Sequence, residues 1–344
     1  KKTIFHLLTG VRAEKAPTRD GLTLGVAAVR DPRVDRLSAM YKPKKTRYAE
    51  FEIALPPDLQ PDTGRGAAWL EPIRRSDALI LVVRAFAADH VFHIQGSVDP
   101  VRDVELIEIE FLLADLALAE GRIQRMDKER KAKAFDAIRE REYATVKRCY
   151  DHLHAEKPLR TLELAGEDLK LIRSLQFLTL KPFVVVLNVG EDLHAAEAGL
   201  QGLADALRAQ GATVAFLSAA IEEEIADLAD DERDAFMQDL GLTEPAAHRL
   251  SRAAYQALGL ISFFTTGPDE VRAWPLRQGA AAPEAAGRIH SDLERGFIRA
   301  ETVPYEALIT AGSERAAREA NHYRLNGKDY IVQDGDIIEI RFNV

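Results

Sequence analysis

Tyr323-Arg324-Leu325-Asn326-Gly327-Lys328-Asp329-Tyr330-Ile331-Val332-Gln333-Asp334-Gly335-Asp336-Ile337-Ile338-Glu339-Ile340-Arg341-Phe342-Asn343-Val344, with Gly287-Arg288-Ile289-His290-Ser291-Asp292-Leu293-Glu294-Arg295-Gly296-Phe297-Ile298-Arg299-Ala300-Glu301 before it, is the most informative part of the chain. Tyr330, Val332 and the run Ile337 to Phe342 put β-branched and aromatic residues on either side of Asp334-Gly335-Asp336, a hairpin-turn signal. A β-rich module therefore closes the chain, its Gly, Asp and Arg residues reading as turn chemistry and solvated surface. It is expected to begin near Leu260, with Gly267-Pro268 as the turn after its first strand. The Ala-rich Gln278 to Ala286, which contains Gly279 and Pro283, reads as a loop.

The whole chain has 344 residues, enough for two or three domains. Hydrophobic residues at 47% and charged residues at 29% describe an ordinary globular protein, with no apolar run of bilayer-spanning length and hence no expected membrane association. The single Cys149 excludes an intrachain disulfide, and the N-terminus lacks a charged-then-apolar leader pattern, so the expected compartment is cytoplasmic. A net charge of −9 argues against indiscriminate nucleic-acid affinity and leaves room only for a local basic face.

Asp77 to Phe86, Pro182 to Leu187 and Ala212 to Leu217 are near-continuous apolar runs of strand length, as in parallel strands buried on both faces. Helical stretches such as Ala195 to Gln210 lie between them, so the pattern is α/β, a doubly wound sheet. Between the first two runs Ile109, Leu112, Leu116, Ala119, Ile123 and Met126 recur at steps of three and four, the seam of a helix packed on another helix. Basic residues from Arg122 to Arg148, interleaved with Asp and Glu, follow before Pro158 breaks the segment. They read either as a solvated face laced with ion pairs or as a surface that meets RNA.

With these stretches in view, the chain resembles the YchF family of Obg-like P-loop ATPases, whose C-terminal TGS domain the last eighty or so residues match. The resemblance spans essentially the whole chain, strongest over Val101 to Leu116 and Glu222 to Val344 and weakest over Lys1 to Gly66. It implies a P-loop NTPase G-domain-like sheet over 1–101 and 176–260, an inserted helical (coiled-coil) hairpin over 102–175, and a β-grasp-like TGS domain over 261–344. In the family that last domain docks a ligand or partner and is not catalytic.

Lys1-Lys2-Thr3-Ile4-Phe5-His6-Leu7-Leu8-Thr9 resembles the family's Gly-Lys-Ser-Thr-Leu-Phe-Asn-Ala-Leu-Thr without its leading Gly, so the first strand and Gly-rich loop are expected upstream of Lys1. In that register Lys1 reaches the β/γ-phosphates from the start of a helix, and Lys2 stands where a hydroxyl should hold magnesium. A one-residue shift would make Lys2 the P-loop lysine and Thr3 the metal ligand. Arg19 occupies the switch threonine position, and no Asp stands in register after Glu50-Phe51, where Glu52 to Leu59 carry Pro56 and Pro57. Asp58 would serve only if that loop were re-routed. With these hydroxyl and carboxylate positions changed, no metal ligand is assigned, and magnesium-dependent hydrolysis is expected to be weak or lost.

Asn188-Val189-Gly190-Glu191 resembles the family's Asn-x-x-Glu, in place of the guanine-reading Asn-Lys-x-Asp of ordinary GTPases. A mismatched buried polar pair costs roughly 1–3 kcal/mol, which favours ATP over GTP. Ser218-Ala219-Ala220 fits the loop that backs the base, and His93 matches a mobile-loop histidine implicated in the family's hydrolysis. The resemblance thus implies an ATP-binding switch, with GTP as the lesser ligand, that meets the ribosome or its RNA through the helical hairpin and the TGS domain and acts in translation or stress responses. The competing expectation is a non-enzymatic pseudo-ATPase scaffold. Glu191 and the altered switch positions oppose a conventional magnesium-dependent GTPase.

Overall fold

The three apolar runs are strands: Leu79–Ala85, Phe183–Val189 and Thr213–Leu217 pair in that order, all parallel, with Leu79 opposite Phe183 and Val184 opposite Thr213. Phe183 to Leu187 are all buried, as a strand covered on both faces requires. The helix Leu193–Ala209 links the last two strands and sets Leu200, Leu203 and Leu207 against Phe183, Val185 and Leu187. This computed structural model describes residues 1–58, 69–88 and 91–343; Leu59 of the switch loop and His90 before the candidate histidine lie outside them. The described chain forms two compact units, one of Lys1–Leu7, Arg12–Leu24 and Ala54–Ala246, the other of Leu8–Val11, Gly25–Ile53 and Ala247–Val344.

In the first unit the insertion is an antiparallel helical pair, Pro100–Ala132 and Ala137–His154. Asp99 caps the first helix by accepting from the Arg102 N–H, with Pro100 at its first position, and Asp136 caps the second through the Arg139 N–H. Leu112, Leu116, Ala119 and Ile123 pack on Val146, Cys149 and Leu153, as the spacing predicts, and Met126 is fully buried. Ile109 is the correction, 52% exposed. The helix changes partners at that point: Val104, Ile107 and Phe111 face the sheet, the seam from Leu112 faces the second helix, and Ile109 projects from neither side.

Where the pair meets the sheet, Asp115 is fully buried. Its Oδ1 accepts from Arg74 at 3.0 Å and from the Leu178 N–H at 3.0 Å; its Oδ2 accepts from the Thr179 N–H at 2.7 Å and the Thr179 hydroxyl at 2.8 Å. Each acceptor site on the carboxylate is thereby matched to a donor.

In the second unit a six-stranded sheet runs Arg324–Asn326, Phe297–Pro304, Asp336–Phe342, Leu260–Thr265, Glu270–Arg277, Lys45–Arg47. The hairpin at Gly267-Pro268 is as expected, and the last long strand lies parallel to the first, Ile337 beside Phe264, which is a β-grasp arrangement. Alternation assigns the faces: Phe263 and Ile338 point to one core with Ala282, Ala285 and Ala286, while Phe264 and Ile337 point to the other with Val34, Leu37 and Leu308. Gly25–Ile53 clusters with Ala247–Val344, and its strand Lys45–Arg47 extends the sheet beside Glu270–Arg277.

Two local expectations are corrected. Gln278 to Ala286 is not a loop throughout: Ala282–Ile289 is a helix, with Pro283 in its first turn and Glu284 accepting from the Ala281 N–H. Proline and glycine interrupt a helix only from its interior; here Gly279, at φ +86°, makes the preceding turn and Pro283 starts the helix. Asp334-Gly335-Asp336 does not join two paired strands either. Val332 bonds to the Ala280 carbonyl, whereas Asp336–Phe342 pairs with Phe297–Pro304 and Leu260–Thr265. The turn serves an anchor, since Asp334 accepts from Arg33 at 2.7 Å and from the Ser262 N–H at 2.8 Å. Arg33 also holds Asp31 at 2.8 Å, and its guanidinium lies 5.1 Å from the Phe264 ring centroid. Burial opposes the Arg33 charge, but hydrogen bonds to Asp31 and Asp334 outweigh it and hold the group above its ordinary value.

Candidate functional site

Parallel strands carry their loops at one edge, and here one rung aligns Arg84, Asn188 and Leu217 at the carboxyl ends of the three strands of the first unit. The Asn188 Oδ1 accepts from the Ala219 N–H at 2.9 Å, which ties the Asn188 to Glu191 loop to the Ser218 to Ala220 loop. Ser218 is buried and caps the helix Ala219–Asp227; Glu222 is buried in its first turn and accepts from the Ala246 N–H at 2.8 Å. Val189 is buried, while Glu191 and Ala220 are exposed at the same edge. The structure thus brings Asn188, Val189, Glu191, Ser218, Ala219 and Ala220 together.

Lys1 and Lys2 stand at the start of the helix Lys2–Thr9, which Ile4 and Phe5 anchor. Lys1 Nζ donates to the Pro56 carbonyl at 2.8 Å and the Pro57 carbonyl at 2.6 Å, and lies 3.3 Å from Asp58; Lys2 Nζ lies 3.1 Å from the same carboxylate. Burial pushes the Lys1 ammonium below its ordinary value, against the pull of Asp58. Burial would raise Asp58, but hydrogen bonds from Lys2 and Lys1 outweigh it and hold the carboxyl below the usual range. Asp58 thus lies against two ammonium groups. Thr3 is half-buried in the same helix.

The donor set does not fit magnesium in the favoured register: Lys2 presents an ammonium where an oxygen ligand is needed. Arg19 is exposed on a tight hairpin, Thr18 opposite Thr23, with Asp20 at φ +53° and Gly21 at φ +76°. Both signs suit a two-residue turn of the mirror-image type, and Asp-Gly was the readable signal for it.

His93 donates from Nε2 to Asp103 at 2.8 Å, because its Nδ1 accepts from the Gln95 N–H at 3.1 Å. Both ring nitrogens are engaged, and the side chain is 13% exposed. Neither Asp103 nor Arg84 was singled out from the sequence. A charged residue at the end of an apolar strand was the available sign for Arg84.

Most arginines of the helical pair are committed to acids. Arg122 and Arg139 both hold Glu142, Arg139 also holds Glu129, Arg130 holds Glu140 at 3.1 Å, and Arg141 holds Glu167 and Asp168. Burial would raise Glu142, but hydrogen bonds from Arg122 and Arg139 prevail and lower it. Its contribution to stability is therefore complete above the ordinary glutamate value of about 4.5 and is lost as pH falls through the lower folded-state value. Amide exchange in Ala137–His154 is expected to accelerate on acidification below that point in the wild type more than in Glu142→Gln; equal acceleration in both sinks the expectation.

Residues 260–343 match the family model YchF-GTPase_C, described as a protein of unknown function (DUF933). The "Ribosome-binding ATPase YchF" of Bacillus subtilis is 41% identical over 355 residues, covering 100% of this chain and 96% of the relative. Its counterpart in Escherichia coli O157:H7 is 42% identical over 352 residues with the same coverage. A solved structure, that of the Schizosaccharomyces pombe YchF GTPase, superposes with a TM-score of 0.86 at 30% identity, over 98% of this chain and 94% of that one. No helix among the described residues is long and apolar enough to cross a membrane. The α/β sheet, the inserted helical pair and the β-grasp unit agree with these relatives, and the chain belongs to the YchF family.

Proposed function

We propose that this protein is a nucleotide-binding P-loop regulator that prefers ATP to GTP, associates with the ribosome and hydrolyses its nucleotide weakly or not at all with magnesium. The observation that carries the binding reading is the Asn188 to Ala219 hydrogen bond, which closes the two base-side loops into one edge at the strand ends. Glu191 at that edge presents a carboxylate with a reach different from the aspartate that reads guanine. Lys1 supplies the charge for phosphate from the start of its helix. Relatives over 40% identical carry ribosome binding and ATPase in their names, which supports the partner and the nucleotide class. A cytoplasmic setting follows from a ribosomal partner, and the hairpin and the C-terminal sheet are the surfaces proposed to meet it.

A second reading, a scaffold that binds no nucleotide, is favoured by one feature: Asp58 and the two proline carbonyls already occupy Lys1 and Lys2. Equilibrium ATP binding with magnesium and with EDTA, using GTP as control, separates the two. Binding that survives EDTA and weakens at least about tenfold in Lys1→Ala is expected, consistent with loss of a charged hydrogen bond. Absence of binding under both conditions supports the scaffold.

A further inference from the structure

Arg84 is the only charged side chain in the strand Leu79–Ala85, and it is half-buried on the rung shared with Asn188. Its guanidinium is spread over three backbone carbonyls: Nε donates to Phe86 O at 3.0 Å, and the two terminal nitrogens donate to Ala88 O at 2.8 Å and Val91 O at 2.8 Å. The same group lies 4.8 Å from the Phe86 ring centroid. The guanidinium meets the three carbonyls from three separate nitrogens held in one plane, whereas a lysine would have to bring all three carbonyls to a single nitrogen. Two residues beyond Val91 comes His93, whose ring is fixed from the other side by Asp103. The second oxygen of Asp103 is held by Arg102 at 2.7 Å.

We infer that Arg84 is a positioning residue for His93: anchored on the carbonyls of Phe86 and Ala88, it holds the carbonyl of Val91, two residues before the histidine, and so keeps the imidazole in one tautomer and one direction. The inference rests on the nucleotide reading for its consequence in ATP cleavage, but not for the positioning itself. Its logic is geometric. The strand that ends beside Asn188 also carries the residue that pins the histidine segment, so the base-side edge and His93 are referred to one rung of the sheet.

The test uses the full chain and five forms: wild type, Arg84→Lys, Arg84→Ala, His93→Ala and the double variant Arg84→Ala/His93→Ala. Amide exchange over 91–96 and the ring nitrogen spectrum of His93, identified by its absence in His93→Ala, report the positioning. ATP affinity and single-turnover ATP cleavage report its consequence. In Arg84→Ala the exchange of 91–96 is expected to rise about tenfold or more, as a local opening does when its hydrogen bonds are removed, and the single tautomer is expected to average. ATP affinity stays within about twofold, whereas cleavage falls by about 10- to 100-fold, within the range of a misplaced acid–base group. Arg84→Lys does not rescue, and the double variant is no slower than His93→Ala, since the two residues act as one unit. Unchanged exchange with an unchanged tautomer overturns the inference. A double variant slower than His93→Ala by the full Arg84 effect overturns the route through His93. A wild type that binds ATP without cleaving it leaves the nucleotide reading standing, and one that does not bind ATP removes that reading alone; in either case the exchange and tautomer results decide the positioning.

Discussion

Asp115→Ala is expected to destabilise the first unit by about 4 kcal/mol, because it removes the shared acceptor of four hydrogen bonds at a fully buried position. The substitution leaves Arg74 with only the Gln176 carbonyl at 3.3 Å and Glu71 at 3.5 Å, and the buried Leu178 and Thr179 N–H groups without their acceptor. Asp115→Asn keeps the volume but turns one oxygen into a donor that must face other donors, so a loss of about 2–3 kcal/mol is expected there too. The two tryptophans make the measurement specific, since Trp69 lies in the first unit and Trp274 in the second. Urea unfolding followed by Trp69 fluorescence in a Trp274→Phe background reads the effect. A shift of under about 1 kcal/mol, the worth of one ordinary hydrogen bond, would show that the carboxylate is not the joint between helix and sheet.

Arg33→Met is expected to cost the second unit about 3 kcal/mol, the scale for removing one partner of a largely buried charge pair. Asp31 is 7% exposed, so the variant leaves a buried carboxylate without its cation, and the more exposed Asp334 loses the same partner. Arg33→Lys is expected to restore only part of this, because the guanidinium reaches both carboxylates at once and an ammonium has no matching fork. Trp274 fluorescence in a Trp69→Phe background follows the transition. Equal stability of the methionine and wild-type forms would sink the argument.

Both sites also mark what could be read beforehand. The parallel strands and the helical pair were legible because each is written in local pattern, apolar runs and a three-four repeat, whereas the Asn188 to Glu191 loop is marked only by its resemblance to the family's Asn-x-x-Glu. Lys45–Arg47 was not. Three polar residues carry no strand periodicity, and the pairing that makes them a strand lies far away at Glu270 to Arg272. Ala282–Ile289 does not read as a helix because Gly279 and Pro283 each count as breakers by residue type, yet their order, turn glycine and then first-turn proline, is a helix start. In the candidate site the resemblance marks Asn188 and Ser218 by residue type, and the hydrogen bond from Ala219 to Asn188 is what the structure adds. Arg84 and Asp103 act through carbonyl and ring contacts that no spacing reveals.

The strand Lys45–Arg47 has a consequence for biosynthesis. Its neighbour in the sheet leaves the ribosome roughly two hundred residues later, a delay of about 10–40 s at 5–20 residues per second. Throughout that interval Val34 and Leu37, fully buried in the finished core, have none of their C-terminal neighbours to pack against. The nascent chain therefore carries a sticky N-terminal segment until its final quarter emerges, and chaperone demand is expected to be set by this early stretch and not by the module it eventually joins.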